Sequence, residues 1–251
     1  MADLKIAFID IETAPTRGYV WEMHEAEVLE VDQDWYMLSF AVKWNDGKTK
    51  VYSLPDYKGY KKNKTNDRLL VSDLHRVFTD ADIVIAHNGD NFDIKRANAR
   101  FVFHGLTPPP TYKTVDTLKL ARRSFRFDSN RLDSLARYLG LGRKLATQGK
   151  NTWLGCMNGD MKAWKTMTSY NKHDVELLYE VYMKLRPWAR NHPNLGLLMD
   201  RPHTCPICGE KNTLHRRGYE FTRAGRKQRF QCKSCGGWSV GKSEKTEIVI
   251  R

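Results

Sequence analysis

The sequence predicts an α/β protein in which a mixed β-sheet is covered by helices, followed by a small metal-stabilised module. Three strand patterns come first, and strands then alternate with helices as far as residue 187. A meander produces antiparallel neighbours and a strand–helix alternation produces parallel ones, so the sheet is mixed. Four of the five cysteines form two C-x-x-C pairs near the C-terminus, which indicates a zinc site.

Composition and charge narrow the class of protein. A hydrophobic content of 41% in 251 residues is typical of a folded protein. No apolar run has the length of a membrane span and no signal-type segment opens the chain, so we expect a cytoplasmic protein that does not bind membranes. We expect a first domain at residues 1–195 and a second at residues 196–251. The second holds 12 Lys or Arg against 5 Asp or Glu, a net of +7 out of +13, which favours a nucleic acid as partner.

The first strands follow from short apolar runs. Residues 6–9 form a run that indicates a buried strand. A second run at residues 35–44 leads through a polar turn into a third strand at residues 49–54, as in a β-hairpin. Residues 13–33 have no clear period, so we predict a long loop between the first two strands.

Helices and strands alternate after the hairpin. An apolar run predicts a strand at residues 82–87, buried on both faces, and another short strand is predicted at residues 112–117. Residues 143–160 are predicted to be a loop. Helical spacing of apolar residues predicts helices at residues 69–78, 92–103, 118–124, 131–139, 161–166 and 169–186, the last being the most amphipathic.

Two carboxylates, Asp10 and Glu12, interrupt the end of the first strand. Successive side chains of a strand alternate between faces, so these two project from the same side. Two like charges are costly to bury together unless a cation lies between them. The pair therefore indicates either an edge strand with a solvated acidic face or a site for Mg²⁺ or Mn²⁺, which prefer hard oxygen ligands.

Two further carboxylates lie far from this pair in the sequence. Asp93 falls in the first turn of a predicted helix, a place that the helix dipole alone also favours for an aspartate. Tyr170 and Asp174 are four residues apart near the start of the amphipathic helix, so they share one face. Together these carboxylates favour the metal site over a solvated acidic face.

Three motifs contain these residues. They are Phe8-Ile9-Asp10-Ile11-Glu12-Thr13, Asn88 with Phe92-Asp93, and Tyr170 with Asp174. In this order they resemble the three exonuclease motifs of the DEDD superfamily, which has a ribonuclease-H-like fold. The tyrosine in the third motif resembles the branch found in the proofreading domain of family-B DNA polymerases. The sister branch has a histidine five residues before the last aspartate, a position held here by Ser169. The resemblance covers about residues 6–188.

The resemblance implies a catalytic site with two Mg²⁺ or Mn²⁺ ions. Such a pair activates a water near neutral pH and stabilises the leaving oxygen of a phosphodiester. Tyr170 would orient the attacking water, since a phenol with an ordinary pKa of about 10 is a poor base. The implied metal ligands are Asp10, Glu12, Asp93 and Asp174. The implied nucleic-acid contact is Asn88. Thr13 and Phe92 are further candidate contacts, although Phe92 is also explained by ordinary packing.

The C-terminal segment contains the pairs Cys205/Cys208 and Cys232/Cys235, separated by 23 residues. Its apolar content is too small for a core, so we expect four thiolates on one zinc ion to stabilise strands at residues 213–222 and 228–231. The segment is similar to the zinc ribbons of transposases and other DNA-associated proteins. Cations alternate with aromatic residues here, which favours nucleic acid over a docked protein. The candidate contacts are Arg216, Arg217, Arg226, Lys227 and Arg229.

These features predict a metal-dependent 3′–5′ exonuclease that acts on single-stranded DNA or DNA 3′ ends, with a replication or repair protein as a further candidate partner. A structure-selective endonuclease and an RNA exonuclease are alternatives on the same metal site. A non-catalytic DNA-binding protein is a third alternative. The carboxylate set argues against the third, because buried carboxylates are costly to keep without a metal. The motifs do not distinguish DNA from RNA.

Overall fold

A computed structural model of the chain describes residues 4–22, 24, 27–145, 147–223 and 225–244. Helices and a five-stranded sheet come first, and a three-stranded sheet follows. The elements in chain order are β1 (Ile6–Thr13), β2 (Arg17–Tyr19), β3 (Glu30–Gln33), β4 (Met37–Trp44), β5 (Lys50–Ser53), α1 (Arg68–Asp80), β6 (Ile83–Ala86), α2 (Asp93–Phe103), β7 (Lys113–Asp116), α3 (Thr117–Ser124), α4 (Leu132–Tyr138), α5 (Lys150–Asn158), α6 (Met161–Leu185), α7 (Leu195–Leu198), β8 (Leu214–Thr222), β9 (Gly225–Cys232) and β10 (Trp238–Glu244).

The five-stranded sheet has the strand order β5-β4-β1-β6-β7. Strand β1 pairs antiparallel with β4 and parallel with β6, so the meander and the strand–helix units meet at this central strand. The outer pairs continue the pattern, because β4 and β5 are antiparallel and β6 and β7 are parallel. The mixed sheet covered by helices that the sequence predicts is therefore confirmed.

Helices cover both faces of this sheet, and the alternation of β1 decides which layer each side chain meets. Ile9 and Ile11 are buried with residues of α1, α2 and the first half of α6. Phe8 points to the other face and packs with α3, α4 and the second half of α6. Asp10 and Glu12 follow Phe8 on that second face, because side chains two residues apart on a strand share a side. The carboxylates therefore project toward the layer that contains α6.

Helix α6 is one continuous element of 25 residues, where the sequence predicts a short turn and a separate helix. The predicted division is wrong because the buried stripe of the helix continues through Met167 and Asn171 without a change of phase. At the start, the Asp160 carboxylate accepts the backbone N–H of Lys162 at 2.8 Å. At the end, Pro187 lies in a short 3₁₀ turn that stops the helix.

Two segments predicted to be loops contain regular structure. In residues 13–33, strand β2 pairs antiparallel with β3, while residues 23, 25 and 26 lie outside the described part of the chain. Strand β2 is exposed along its whole length, so it has no apolar alternation to reveal it. In residues 143–160, helix α5 buries only Thr152 and Cys156, which is too few for a helical period to be visible.

The C-terminal sheet has the order β10-β9-β8, and both pairs are antiparallel. Strand β10 is an addition to the two predicted strands, since Gly, Ser, Lys and Glu make up most of it and conceal the pattern. The described core of this part consists of Cys205, Ile207 and Cys232, so apolar burial stabilises it little. Among the described helices, none has the length and apolar character needed to cross a membrane.

Candidate active site

The carboxylates of Asp10, Glu12 and Asp174 come together where β1 meets α6. One oxygen from each lies within 4.8 Å of the other two. Strand alternation directs the first two toward α6, and Asp174 lies on the buried stripe of that helix with 2% of its surface exposed. Two elements that are distant in the sequence thus bring three carboxylates to one point.

Asp93, the fourth predicted ligand, lies at the start of α2 beside this cluster. Its Oδ1 accepts the backbone N–H of Ile11 at 3.0 Å, and the side chain is 3% exposed. Its charge also contributes to the raised pKa of Asp10. The structure therefore holds Asp93 against the backbone between the two carboxylates of β1, although its oxygens are not part of the three-carboxylate cluster.

Burial raises the pKa values of all four carboxyls and is the largest cause for each, and repulsion from the other site carboxylates adds to it at Asp10 and Glu12. Burial and the charge of Asp174 raise the pKa of Glu12 to about 8. Burial raises the pKa of Asp93 to about 7, although the N–H of Ile11 acts in the opposite direction. The pKa of Asp10 lies well above its usual value, because three carboxylates add to the effect of burial. A group of acids this costly to ionise favours a bound cation.

Lys144 brings a positive charge to the cluster. Its Nζ contacts Oδ2 of Asp174 and donates to the Tyr170 hydroxyl at 3.0 Å. Burial opposes the charge of this lysine, but the Asp174 carboxylate and the two hydrogen bonds outweigh burial and raise the pKa of Lys144. The backbone N–H of Lys144 donates to Asp133 Oδ1 at 2.9 Å, which fixes the segment. Sequence reasoning missed Lys144, since it lies in a segment predicted to be a solvated loop.

The donors around the cluster fit a site for divalent cations. Asp174 Oδ1 is buried and has no hydrogen-bond partner, while Lys144 contacts the other oxygen. The side chain of Asn171 donates to Asp10 Oδ2 at 2.6 Å, and Trp153 donates to Glu12 at 3.1 Å. These bonds orient the carboxylates. Hard oxygen ligands in an acidic, partly buried cluster suit Mg²⁺ or Mn²⁺.

Tyr170 lies one helical turn before Asp174 on α6. Burial and the charge of Asp174 raise the pKa of its hydroxyl above the ordinary value, so the phenol stays protonated. The ring of Trp153 meets the Tyr170 ring edge-on, with the centroids 5.9 Å apart. Trp153 belongs to α5 and was not identified from the sequence. A tryptophan within a Gly- and Lys-containing segment was the available signal.

Two of the three predicted nucleic-acid contacts of this part are sequence neighbours of predicted metal ligands, Thr13 beside Glu12 and Phe92 beside Asp93. Thr13 ends β1 and lines a cavity of about 480 Å³ together with Arg96. Phe92 precedes α2 and is 37% exposed, with the Arg96 guanidinium 5.7 Å from its ring centroid. Asn88 has a φ of 66° in the turn after β6, and its N–H donates to Asp116 Oδ1 at 2.9 Å. Thr13 and Phe92 thus share a basic neighbour, while Asn88 lies in the turn after β6.

The four cysteines form a second cluster, in which all Sγ atoms lie within 4.8 Å of one another. The Sγ atoms of Cys205 and Cys235 are 3.8 Å apart, and those of Cys208 and Cys232 are 3.7 Å apart. A tetrahedral zinc ion with Zn–S distances of about 2.3 Å separates its sulfur ligands by about 3.8 Å. The cluster therefore fits one zinc ion.

Five basic residues predicted to contact nucleic acid lie on β8 and β9. Arg226 lies 4.3 Å from the ring centroid of Tyr219, and Arg229 lies 5.7 Å from that of Trp238. A cation beside an aromatic ring offers one group to phosphate and another to a base. The exposed ones are Arg216, Arg217 and Arg229, and the partly buried ones are Arg226 and Lys227.

We expect the protein without added divalent cation to lose thermal stability as the pH rises from about 5 to about 8. A carboxyl whose pKa is higher in the folded protein than in the unfolded chain binds more protons in the folded protein. The free energy of unfolding therefore falls as the pH rises above the pKa that the carboxyl has in the unfolded chain. For Glu12 that window runs from 4.5 to about 8. Melting temperatures across this range should fall, and Mg²⁺ should remove the decline. Glu12→Gln should show a shallower decline, and a flat profile in the unaltered protein would contradict the raised pKa values.

Lys144→Met is expected to bind Mn²⁺ about tenfold more tightly or better. The lysine charge lies against Asp174 and repels a second cation, and two unit charges about 4 Å apart interact by about 4 kcal/mol at an effective dielectric constant of about 20. Calorimetric titration with Mn²⁺ measures the change, and Lys144→Arg, which keeps the charge, is the matched control. Equal dissociation constants for all three proteins would show that the lysine does not act on the site.

Comparison with known proteins agrees with this architecture. The RNase_H_2 family model, described as RNase_H superfamily, matches residues 7–186, which contain all four carboxylates. The structure of the family B DNA polymerase from the hyperthermophilic archaeon Pyrobaculum calidifontis is similar, with a TM-score of 0.50 and 15% sequence identity. The match covers 89% of this chain and 32% of the polymerase chain, so this chain spans about a third of that length. A comparison with curated protein sequences found no match. The predicted ribonuclease-H-like fold is confirmed.

Proposed function

The chain belongs to the RNase_H superfamily, and from this membership we propose that it is a metal-dependent 3′–5′ exonuclease of single-stranded DNA. The observation that carries the proposal is the convergence of Asp10, Glu12 and Asp174, with Asp93 held against the same strand. The position of Tyr170 beside Asp174 supports the tyrosine branch of the DEDD exonucleases. The choice of DNA rests on the resemblance of the three motifs to proofreading domains.

The residues around the carboxylates have distinct roles in this proposal. Two bound Mg²⁺ or Mn²⁺ ions would supply an activated water near neutral pH and stabilise the leaving oxygen. Asn171 and Trp153 orient the carboxylates of β1 by hydrogen bonds. Tyr170, as a protonated phenol, orients the attacking water through its hydroxyl. Lys144 holds Asp174 and Tyr170 in register, because it contacts both.

We propose that residues 1–195 carry the chemistry and that residues 196–251, described as far as residue 244, form a zinc ribbon that holds the nucleic acid. The sulfur separations in the cysteine cluster support one zinc ion. The net charge of +7 and the exposed arginines support binding of phosphate, which dominates non-specific affinity. Near the carboxylates, the proposed contacts are Thr13, Asn88 and Phe92.

Linear and circular single strands test this function. With Mg²⁺ or Mn²⁺ the unaltered protein should degrade a linear DNA strand and leave a circular one intact, because an exonuclease needs an end. Linear RNA of the same sequence and duplex DNA complete the panel. Cleavage of the circle would identify an endonuclease, and faster loss of RNA would identify an RNA exonuclease. Binding of DNA with no cleavage of any substrate would identify a non-catalytic DNA-binding protein.

A further inference from the structure

A row of four aromatic rings crosses the surface near the ends of α3, α4 and α6. Phe125 and Phe127 stack with their centroids 5.0 Å apart. Trp188 meets Phe125 edge-on at 5.4 Å, and Tyr138 meets Phe127 edge-on at 5.1 Å. Below, this set of Trp188, Phe125, Phe127 and Tyr138 is called the aromatic row.

The two ends of the aromatic row are exposed and its middle is anchored. Phe125 and Phe127 are partly buried and pack against the core on the α6 side of the sheet. Trp188 is 61% exposed and Tyr138 is 76% exposed. Large aromatic rings that face solvent on a rigid base mark a binding surface, since packing alone does not account for their exposure.

The charge around the aromatic row is strongly positive. Residues 122–143 contain six arginines, no lysine and two acids, Asp128 and Asp133. Asp133 already pairs with Arg137 at 3.1 Å and accepts the N–H of Lys144. All six arginines are exposed. They are Arg122, Arg123, Arg126, Arg131, Arg137 and Arg143.

Hydrogen bonds connect the segment of the aromatic row to other parts of the chain. On one side, Asp133 accepts the N–H of Lys144, whose side chain contacts Asp174 of the carboxylate cluster. At the other end, the Ser124 hydroxyl donates to the Trp188 carbonyl at 3.4 Å. Trp188 is followed by the residues that lead to the C-terminal sheet. The segment that carries the row is therefore linked to the carboxylate cluster through Lys144.

We propose that the aromatic row is a stacking platform for the single-stranded nucleic acid that extends away from the scissile bond. The choice of this ligand rests on the proposed function. Unpaired bases stack on Trp188 and Tyr138, and the surrounding arginines contact the phosphates. Paired bases cannot offer their faces in this way, so the platform selects single strands. A second copy of this chain is a poor occupant, because a net charge of +13 repels it from a basic surface.

The test measures the affinity of the protein for two DNA strands with the same number of phosphates, one with its bases and one without. In the full chain with Asp10→Asn, which prevents degradation, we expect a strand of about 15 nucleotides to bind about tenfold more tightly than an abasic strand of equal length. Tyr138→Ala and Trp188→Ala together should remove most of that difference and leave the affinity for the abasic strand unchanged.

Three variants serve as controls. Tyr138→Phe and Trp188→Phe keep an aromatic ring at each position and should keep the preference for bases. Phe103→Ala removes a ring of similar exposure (68%) from α2, outside the row, and should also keep that preference. If the Trp188 variant fails to fold, Tyr138→Ala alone still tests the proposal, because that side chain is the more exposed of the two. An unchanged preference for bases in the double variant, or equal loss for the abasic strand, would overturn the platform. If the Asp10→Asn protein binds through these rings but the unaltered protein hydrolyses no nucleic acid with Mg²⁺ or Mn²⁺, the proposed function alone is refuted.

Discussion

Asp10→Asn is expected to abolish metal-dependent hydrolysis, by about a thousandfold or more, while the fold stays intact. Asp10 lies on the central strand and belongs to the three-carboxylate cluster, so its loss removes a ligand on which the proposed metal chemistry depends. The same change removes a negative charge that repels Glu12 and Asp174. Without metal, the variant should therefore melt at the same temperature as the unaltered protein or higher.

Hydrolysis of a labelled single strand and thermal melting measure the two halves of this prediction. Asp90→Asn is a matched control, because Asp90 pairs with Lys119 at 2.7 Å and lies outside the cluster. Its activity should remain near that of the unaltered protein. Turnover by Asp10→Asn within tenfold of the unaltered protein would end the assignment of the carboxylates as the site of hydrolysis.

Cys232→Ser is expected to remove the zinc ion and unfold the C-terminal sheet. Cys232 is 1% exposed at the end of β9, and the small core beside it cannot replace the stabilisation by zinc, which is about 10–16 kcal/mol in small zinc modules. Affinity for single-stranded DNA should fall by about a hundredfold at low salt as the phosphate contacts of the sheet are lost. Cleavage of short strands should persist, because the four carboxylates all precede residue 188.

Zinc content and a salt series measure this second effect. The zinc content should fall from one ion per chain to none. The slope of log affinity against log salt concentration should become shallower by about 0.7 for each phosphate contact removed. Both proteins carry Asp10→Asn so that the strand survives. The control Cys156→Ser changes a buried cysteine outside the cluster, so that protein should keep the zinc ion of the four-cysteine cluster. Loss of zinc with unchanged affinity and slope would mean that the ribbon binds a protein or only stabilises the chain.

Local rules account for much of the fold and part of the site. The alternation of a strand explains why Asp10 and Glu12 share a face, and helical spacing explains why Tyr170 and Asp174 do. Asp116 caps α3 in the same local way, because its carboxylate accepts the N–H of Leu118 at 2.9 Å. Each of these relations involves residues close in sequence, so the pattern alone contains the information.

Relations set by tertiary packing were not predictable in this way. Lys144 and Trp153 reach the site from residues 143–160, where neither a helical nor a strand period is visible. The position of Trp153 depends on the packing of α5 against α6, and that of Lys144 on the bond of its N–H to Asp133. No short window of sequence encodes either relation. Strands β2 and β10 escaped prediction for a related reason, because an exposed or glycine-containing strand lacks the alternation that reveals it.

A single strand of DNA labelled at its 5′ end tests the central proposal most directly. Samples taken during incubation with Mg²⁺ resolve the order in which nucleotides leave. We predict a ladder of products that shortens one nucleotide at a time from the 3′ end, with the label retained on the remaining strand, and no products in the absence of a divalent cation. Immediate release of the label as a mononucleotide, or the same ladder without any divalent cation, would contradict a metal-dependent 3′–5′ exonuclease.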